Sequence, residues 1–145
     1  MAALNDPYDL DRFVRAQTQD YERALSELRA GKKKSHWMWY VFPQIEGLGL
    51  SPMSVRYSIQ SAAEARAYLE HPLLGPRLSK CAAVVRDIVG RSALEIFGSP
   101  DDLKLRSCAT LFGAVSKDGV FEQVLQKYFG GERDKETLRR LEGAG

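Results

Sequence analysis

What most constrains this chain is a run of helix start and stop signals at short intervals, with no stretch of alternating polar and apolar residues between them. Ser61-Ala-Ala-Glu64 and Ser92-Ala-Leu-Glu95 are capping-box patterns, in which the serine oxygen accepts a first-turn amide and the glutamate reaches back. Ser99-Pro-Asp-Asp102 puts proline at the first helical position, and Asp134 stands as the cap of a last helix ending near Leu141. Stops fall at Gly31, Pro43, His71-Pro72, Gly90, Gly98 and Gly130-Gly131. Between these marks the apolar residues keep a helical period. Leu10, Phe13, Val14, Tyr21, Ala24, Leu25 and Leu28 share one face, with Gln17 among them. Leu74, Leu78, Cys81, Ala82, Val85, Ile88 and Val89 make a second stripe, and Leu103, Leu105, Cys108, Leu111, Phe112 and Val115 a third. Short helices are predicted over 35–42, with Ser35 as cap and a strand as the alternative because Trp, Tyr, Val and Phe favour pleated structure, and over 120–129, with a loop over 44–52. The expectation is an all-α fold: a single compact multi-helical domain of about seven short helices over residues 1–145, frayed at 1–8 and 142–145.

Composition narrows the function classes. Hydrophobic residues make up 44% and charged residues 28%, ordinary values for a globular chain of 145 residues and too apolar for disorder. Net charge is +2, and residues 1–75 carry nine charges of each sign, so no basic half or tail exists to hold nucleic acid. The first twenty residues are charged throughout and no run of 18 apolar residues occurs, so the chain reads as cytoplasmic, with no membrane partner. Cys81 and Cys108 fall in apolar stripes and read as buried hydrophobes; no spacing suggests zinc. No metal site and no cofactor are expected, and no GxSxG, HExxH or nucleotide fingerprint is present.

The chemistry-bearing residues gather in Lys34-Ser-His-Trp-Met-Trp-Tyr-Val-Phe-Pro-Gln44, then Gly47-Leu-Gly49, Ser51 and Tyr57. On a helix, aromatics would point in every direction here, so the segment is either wrapped as core or lines a cavity. Buried packing accounts for Trp37 and Trp39 taken singly. Ser35, His36, Gln44 and Ser51 need partners if buried, which is what a ligand site supplies. The expected ligand-binding set is Lys34, Ser35, His36, Trp37, Trp39, Gln44, Ser51 and Tyr57, with His36 the best catalytic candidate as a general acid or base if the protein is an enzyme. Elsewhere bland roles suffice. His71 is expected to hydrogen-bond helix-terminal carbonyls, Asp101 and Asp102 to meet a helix dipole, and Lys32–Lys34 to be a solvated helix end.

The combination Phe13…Ala16-Gln17…Tyr21, Ser35-His-Trp-Met-Trp39…Phe42-Pro-Gln44, Gly47-Leu-Gly49, His71-Pro-Leu-Leu-Gly75-Pro-Arg77-Leu, Ile96-Phe-Gly98 and Thr110-Leu-Phe112 resembles a bacterial family known as domain of unknown function 1810. The resemblance implies a mainly helical single domain and no established activity. Some members carry the label calpastatin, but protease-inhibitor segments of that kind are disordered, whereas this chain reads as folded.

Three partner classes follow. A small anionic or nucleotide-like ligand bound around residues 34–57 is the leading expectation. A protein partner held in a helical groove, with the aromatics as anchors, is the alternative. Nucleic acid, through Lys32–Lys34 and Arg77, is the weakest, because those cations have no wider basic surface around them.

Overall fold

A computed structural model describes residues 6–144. The described residues are helical with no strands, and they form nine helices where about seven were expected. α1 (Asp11–Arg29) presents Phe13, Gln17, Tyr21, Ala24, Leu25 and Leu28 to the core, the face its periodicity predicts. Its start is fixed by a carboxylate the sequence does not single out: Asp6 accepts from the amides of Leu10 (2.8 Å) and Asp11 (3.0 Å). Gly31, at φ +77°, ends the turn that follows it.

α2 is shorter than its sequence predicts, running only over Met38–Val41, and Ser35 does not cap it. The hydroxyl of Ser35 is spent on Glu27 of α1, which leaves the segment before Met38 stapled to α1 instead of coiled. α3 (Pro52–Arg56) lies inside the expected loop. Ser51 caps it by accepting from the Ser54 amide at 3.2 Å, with Pro52 at the first helical position. A single parallel bridge, Ile45 to Ile59, pins the two ends of that loop together.

α4 (Ala62–Glu70) starts at Ser61 as predicted, but its box is not closed. Glu64 is buried, and instead of reaching back to Ser61 it pairs with Arg12 at 2.8 Å and accepts from the Gln60 amide at 2.9 Å. α5 (Leu74–Asp87) crosses α4 so closely that a Cβ on Gly75 would fall 2.0 Å from the Leu69 carbonyl oxygen. It stops at Asp87, ahead of Gly90, because Tyr128 and Lys127 donate to the carbonyls of Val85, Arg86 and Ile88. Val89, expected in the apolar stripe, is left 89% exposed. α6 (Ala93–Phe97) has the complete Ser92–Glu95 capping box. α7 (Asp101–Val115) begins one residue after Pro100, α8 (Val120–Phe129) ends at the left-handed Gly130, and Asp134 caps α9. α9 (Lys135–Ala144) continues through residues expected to fray; of the other end residues, 1–5 and 145 lie outside the described part.

α7 is the central element, packed by α4, α6, α8 and α9, while α5 is held between α1, α4 and α8. A run of rings links these layers: Tyr57 to Phe13 (5.8 Å), Phe13 to Tyr68 (5.1 Å), Tyr68 to Phe112 (5.3 Å) and Phe112 to Phe121 (5.9 Å). Cys81 and Cys108 are free and buried as expected, and burial pushes the Cys81 thiol up to about 12. Among the described residues no helix is long and apolar enough to cross a membrane.

Candidate functional site

The segment 34–37 is organised by one carboxylate on the polar flank of α1. Glu27 Oε1 accepts from the amides of Lys34 (2.7 Å) and Ser35 (3.0 Å) and from the Trp37 indole (2.9 Å), while Oε2 accepts from the Ser35 hydroxyl (2.5 Å). Partial burial pushes Glu27 up, but these four donors together outweigh it and hold the acid down at about 2. Trp37 is consequently 0% exposed and packs on Phe42. Lys33 is not a solvated helix end. Its side chain is 9% exposed, pairs with Asp101 at 3.0 Å and lies 5.3 Å from the Trp37 ring centre.

Tyr57 sits in a different wall of the core, against Tyr40 (5.2 Å) and Phe13. The adjoining buried polar group is Gln17, which donates to the Tyr40 carbonyl (2.7 Å) and the Tyr68 hydroxyl (3.0 Å) and accepts from Arg77 (3.3 Å). Arg77 also covers the Tyr21 ring at 4.7 Å, so it is not a spare cation for nucleic acid. His71 holds the start of α5 and not the carbonyls of α4: its Nδ1 accepts from the amides of Leu73 (3.1 Å) and Leu74 (3.2 Å). Lys34 and His36 are exposed beside α1 and α2.

The eight residues therefore do not line one cavity. Two of them do line a common depression of about 450 Å³, bounded by Gln44, Leu48, Gly49, Leu50, Ser51 and Ser54 on one side and by Pro100, Leu103, Lys104, Ser107 and Asp134 on the other. Gln44 and Ser51 are in its wall; Trp39 is not, but Lys104, which is, has its ammonium 5.6 Å from the Trp39 ring centre. Lys104 also pairs with Asp101 at 3.3 Å, and Asp101 serves Lys33 as well. Asp134 brings a carboxylate to the same wall. Its Oδ2 accepts from the amide and hydroxyl of Thr137, and its Oδ1 stands 3.8 Å from Arg106. The wall thus sets one cation, Lys104, and one carboxylate, Asp134, among polar groups, and the rim is apolar: Leu50 is 88% and Leu103 49% exposed.

Residues 7–141 match the family model described as "Protein of unknown function (DUF1810)". The chain belongs to this family. A DUF1810 chain of this kind also has a solved likeness, the crystal structure of the conserved hypothetical protein Rv1873 from Mycobacterium tuberculosis at 1.38 Å. The two are 54% identical, with 94% of this chain and 99% of that chain covered and a TM-score of 0.93. No curated protein matches the chain. The DUF1810 assignment names no activity and leaves the function to be argued from the site.

Lys104, Ser54, Ser107 and Asp134 were missed by sequence reasoning. Lys104 and Ser107 come from α7 and Asp134 from the α9 cap, far along the chain from Gln44, so no local spacing joins them. Glu27 was missed for a related reason: its partners lie seven to ten residues on, across the Gly31 turn.

Proposed function

We propose that this DUF1810 protein binds a small anionic or nucleotide-like molecule in the depression between the 44–54 loop and α7. The observation that carries the reading is a concavity lined by Lys104, Gln44, Ser51 and Ser54, with the half-buried Trp39 ring centre 5.6 Å from the Lys104 ammonium. Lys104 would meet the ligand's charge, Trp39 would wall a flat ring, and Gln44, Ser51 and Ser54 would orient its polar edge. Ser35 and Trp37 are held by Glu27 and do not line the depression, and the reading gives His36 no part. It is a reading of binding, not of a reaction. Two buried free thiols suit a reducing compartment, so we place this function in the cytoplasm.

The test is thermal shift against nucleotides, ADP-ribose and sugar phosphates, with Gln44→Ala and Lys104→Ala as variants. Both should fold as the parent does and lose the ligand-induced rise in melting temperature. If the variants keep that rise, the site is elsewhere.

A protein partner is the second reading, favoured by Leu50 and Leu103 exposed on the same rim. It predicts that Leu50→Asp abolishes association with that partner while small molecules leave the melting temperature unmoved.

A further inference from the structure

On another face of the molecule, a second depression of about 440 Å³ lies between the end of α1 and the turn after α5, lined by Arg29, Ala30, Gly31, Val84, Asp87, Ile88, Val89 and Arg91. Its charge is unusual for this protein. The chain has thirteen arginines, and eight of them pair with carboxylates. Arg56 and Arg77 donate to side chains, but Arg29, Arg66 and Arg91 have no hydrogen bond, ion pair or ring contact among the described residues. Two of those three face this one groove.

The groups that could neutralise the pair are already engaged. Asp87 is held by Arg86 through both oxygens, at 2.9 and 3.1 Å. Glu95, near enough to Arg91 to be made more acidic by it, first of all accepts from the Ser92 amide in the capping box. The α5 carbonyls are taken by Lys127 and Tyr128, and at the end of α1 the amides of Ala30, Gly31 and Lys32 close onto Ser26, Leu28 and Glu27. Arg91 is also placed by packing: a Cβ at Gly31 would stand 3.3 Å from its Cδ and Nε, so the arginine stem crosses the bare glycine backbone. Guanidiniums bind phosphate oxygens in pairs of parallel hydrogen bonds, and the remaining wall, Val84, Ile88 and Val89, is apolar.

We propose that this groove is an oxyanion site for a phosphate monoester bearing an apolar group, with Arg29 and Arg91 on the phosphate and Val84, Ile88 and Val89 against the ester group. It is separate from the depression beside Trp39 and stands or falls independently of it.

The experiment is a titration of the full chain with phenyl phosphate and, in parallel, inorganic phosphate, following the Arg29 and Arg91 Nε–H and Gly31 amide resonances. Phenyl phosphate should give saturable shifts and bind about tenfold tighter than inorganic phosphate, the ring adding buried apolar area. Arg91→Gln should weaken binding about tenfold or more, the worth of one charge-assisted hydrogen bond, and Arg91→Lys should recover only part of that loss. Arg66→Gln removes an equally unpaired arginine outside the groove and should change nothing. Non-saturating shifts, equal affinity for the two phosphates, or an equal loss in Arg66→Gln would each overturn the proposal.

Discussion

Trp37 and Trp39 stand two residues apart and face opposite fates. Trp37 is sealed in the core with its indole nitrogen on Glu27, whereas Trp39 remains half-buried beside Lys104, a residue that lines a polar depression. The difference comes from the partner each finds and not from the side chain. A carboxylate on α1 draws Trp37 inward together with the two amides that precede it, and the four residues of α2 then rotate Trp39 toward α7. An aromatic cluster in a helical domain can thus be divided, one ring sealed into the core and the next left half-exposed.

The sharpest way to break this contrast is truncation. Trp37→Ala should cost about 3–5 kcal/mol in urea unfolding, as large-to-small changes at filled core positions do. Trp39→Ala should cost only about 1–2 kcal/mol, since half its area already faces solvent. Equal losses would dissolve the distinction.

Next in size is Glu27→Ala, which strands the buried Trp37 indole and two amides and should cost about 2–4 kcal/mol. Restoring an acceptor with Glu27→Gln should recover part of it.

A smaller effect has a definite sign with pH. Glu27 is held at about 2 against its ordinary 4.5, so the unfolded chain takes up this proton more readily than the folded one. Its contribution is complete above 4.5 and is lost as pH falls through 2. Allowing for solvent screening of a partly exposed carboxylate, that is about 1–2 kcal/mol. The stability gap between parent and Glu27→Gln, followed by chemical unfolding from pH 7 downward, should therefore narrow below pH 4.5. A gap that widens with acid would contradict the assignment.

Smallest is Lys104→Ala. Its ion pair with Asp101 is partly solvated, so stability should change by less than about 1 kcal/mol, even as ligand-induced thermal shifts disappear.

The same contrast shows what the sequence could tell. Helices announced by local chemistry were legible: the α1 stripe, the Ser61 and Ser92 caps, the Asp134 cap and the Gly130 stop all act within four residues of themselves. Features decided by a distant partner were not. Ser35 reads as a cap until Glu27 claims it, Glu64 reads as half of a capping box until Arg12 reaches it, and Val89 reads as core until Lys127 and Tyr128 end α5 early. α3 did carry its own signal, Ser51-Pro52, hidden by the glycines around it. Of the candidate site, Trp39, Gln44 and Ser51 could be named from their residue types, but Lys104, Ser107 and Asp134 join them only through the packing of α7 and α9.

The most direct test of the account is to watch the two indole N–H resonances while the protein is titrated with ADP-ribose, nucleotides and sugar phosphates. One of these ligands should shift the Trp39 signal saturably and leave Trp37, fixed on Glu27, unmoved. A saturable shift of Trp37 with Trp39 silent, or no shift of either across the panel, would contradict it.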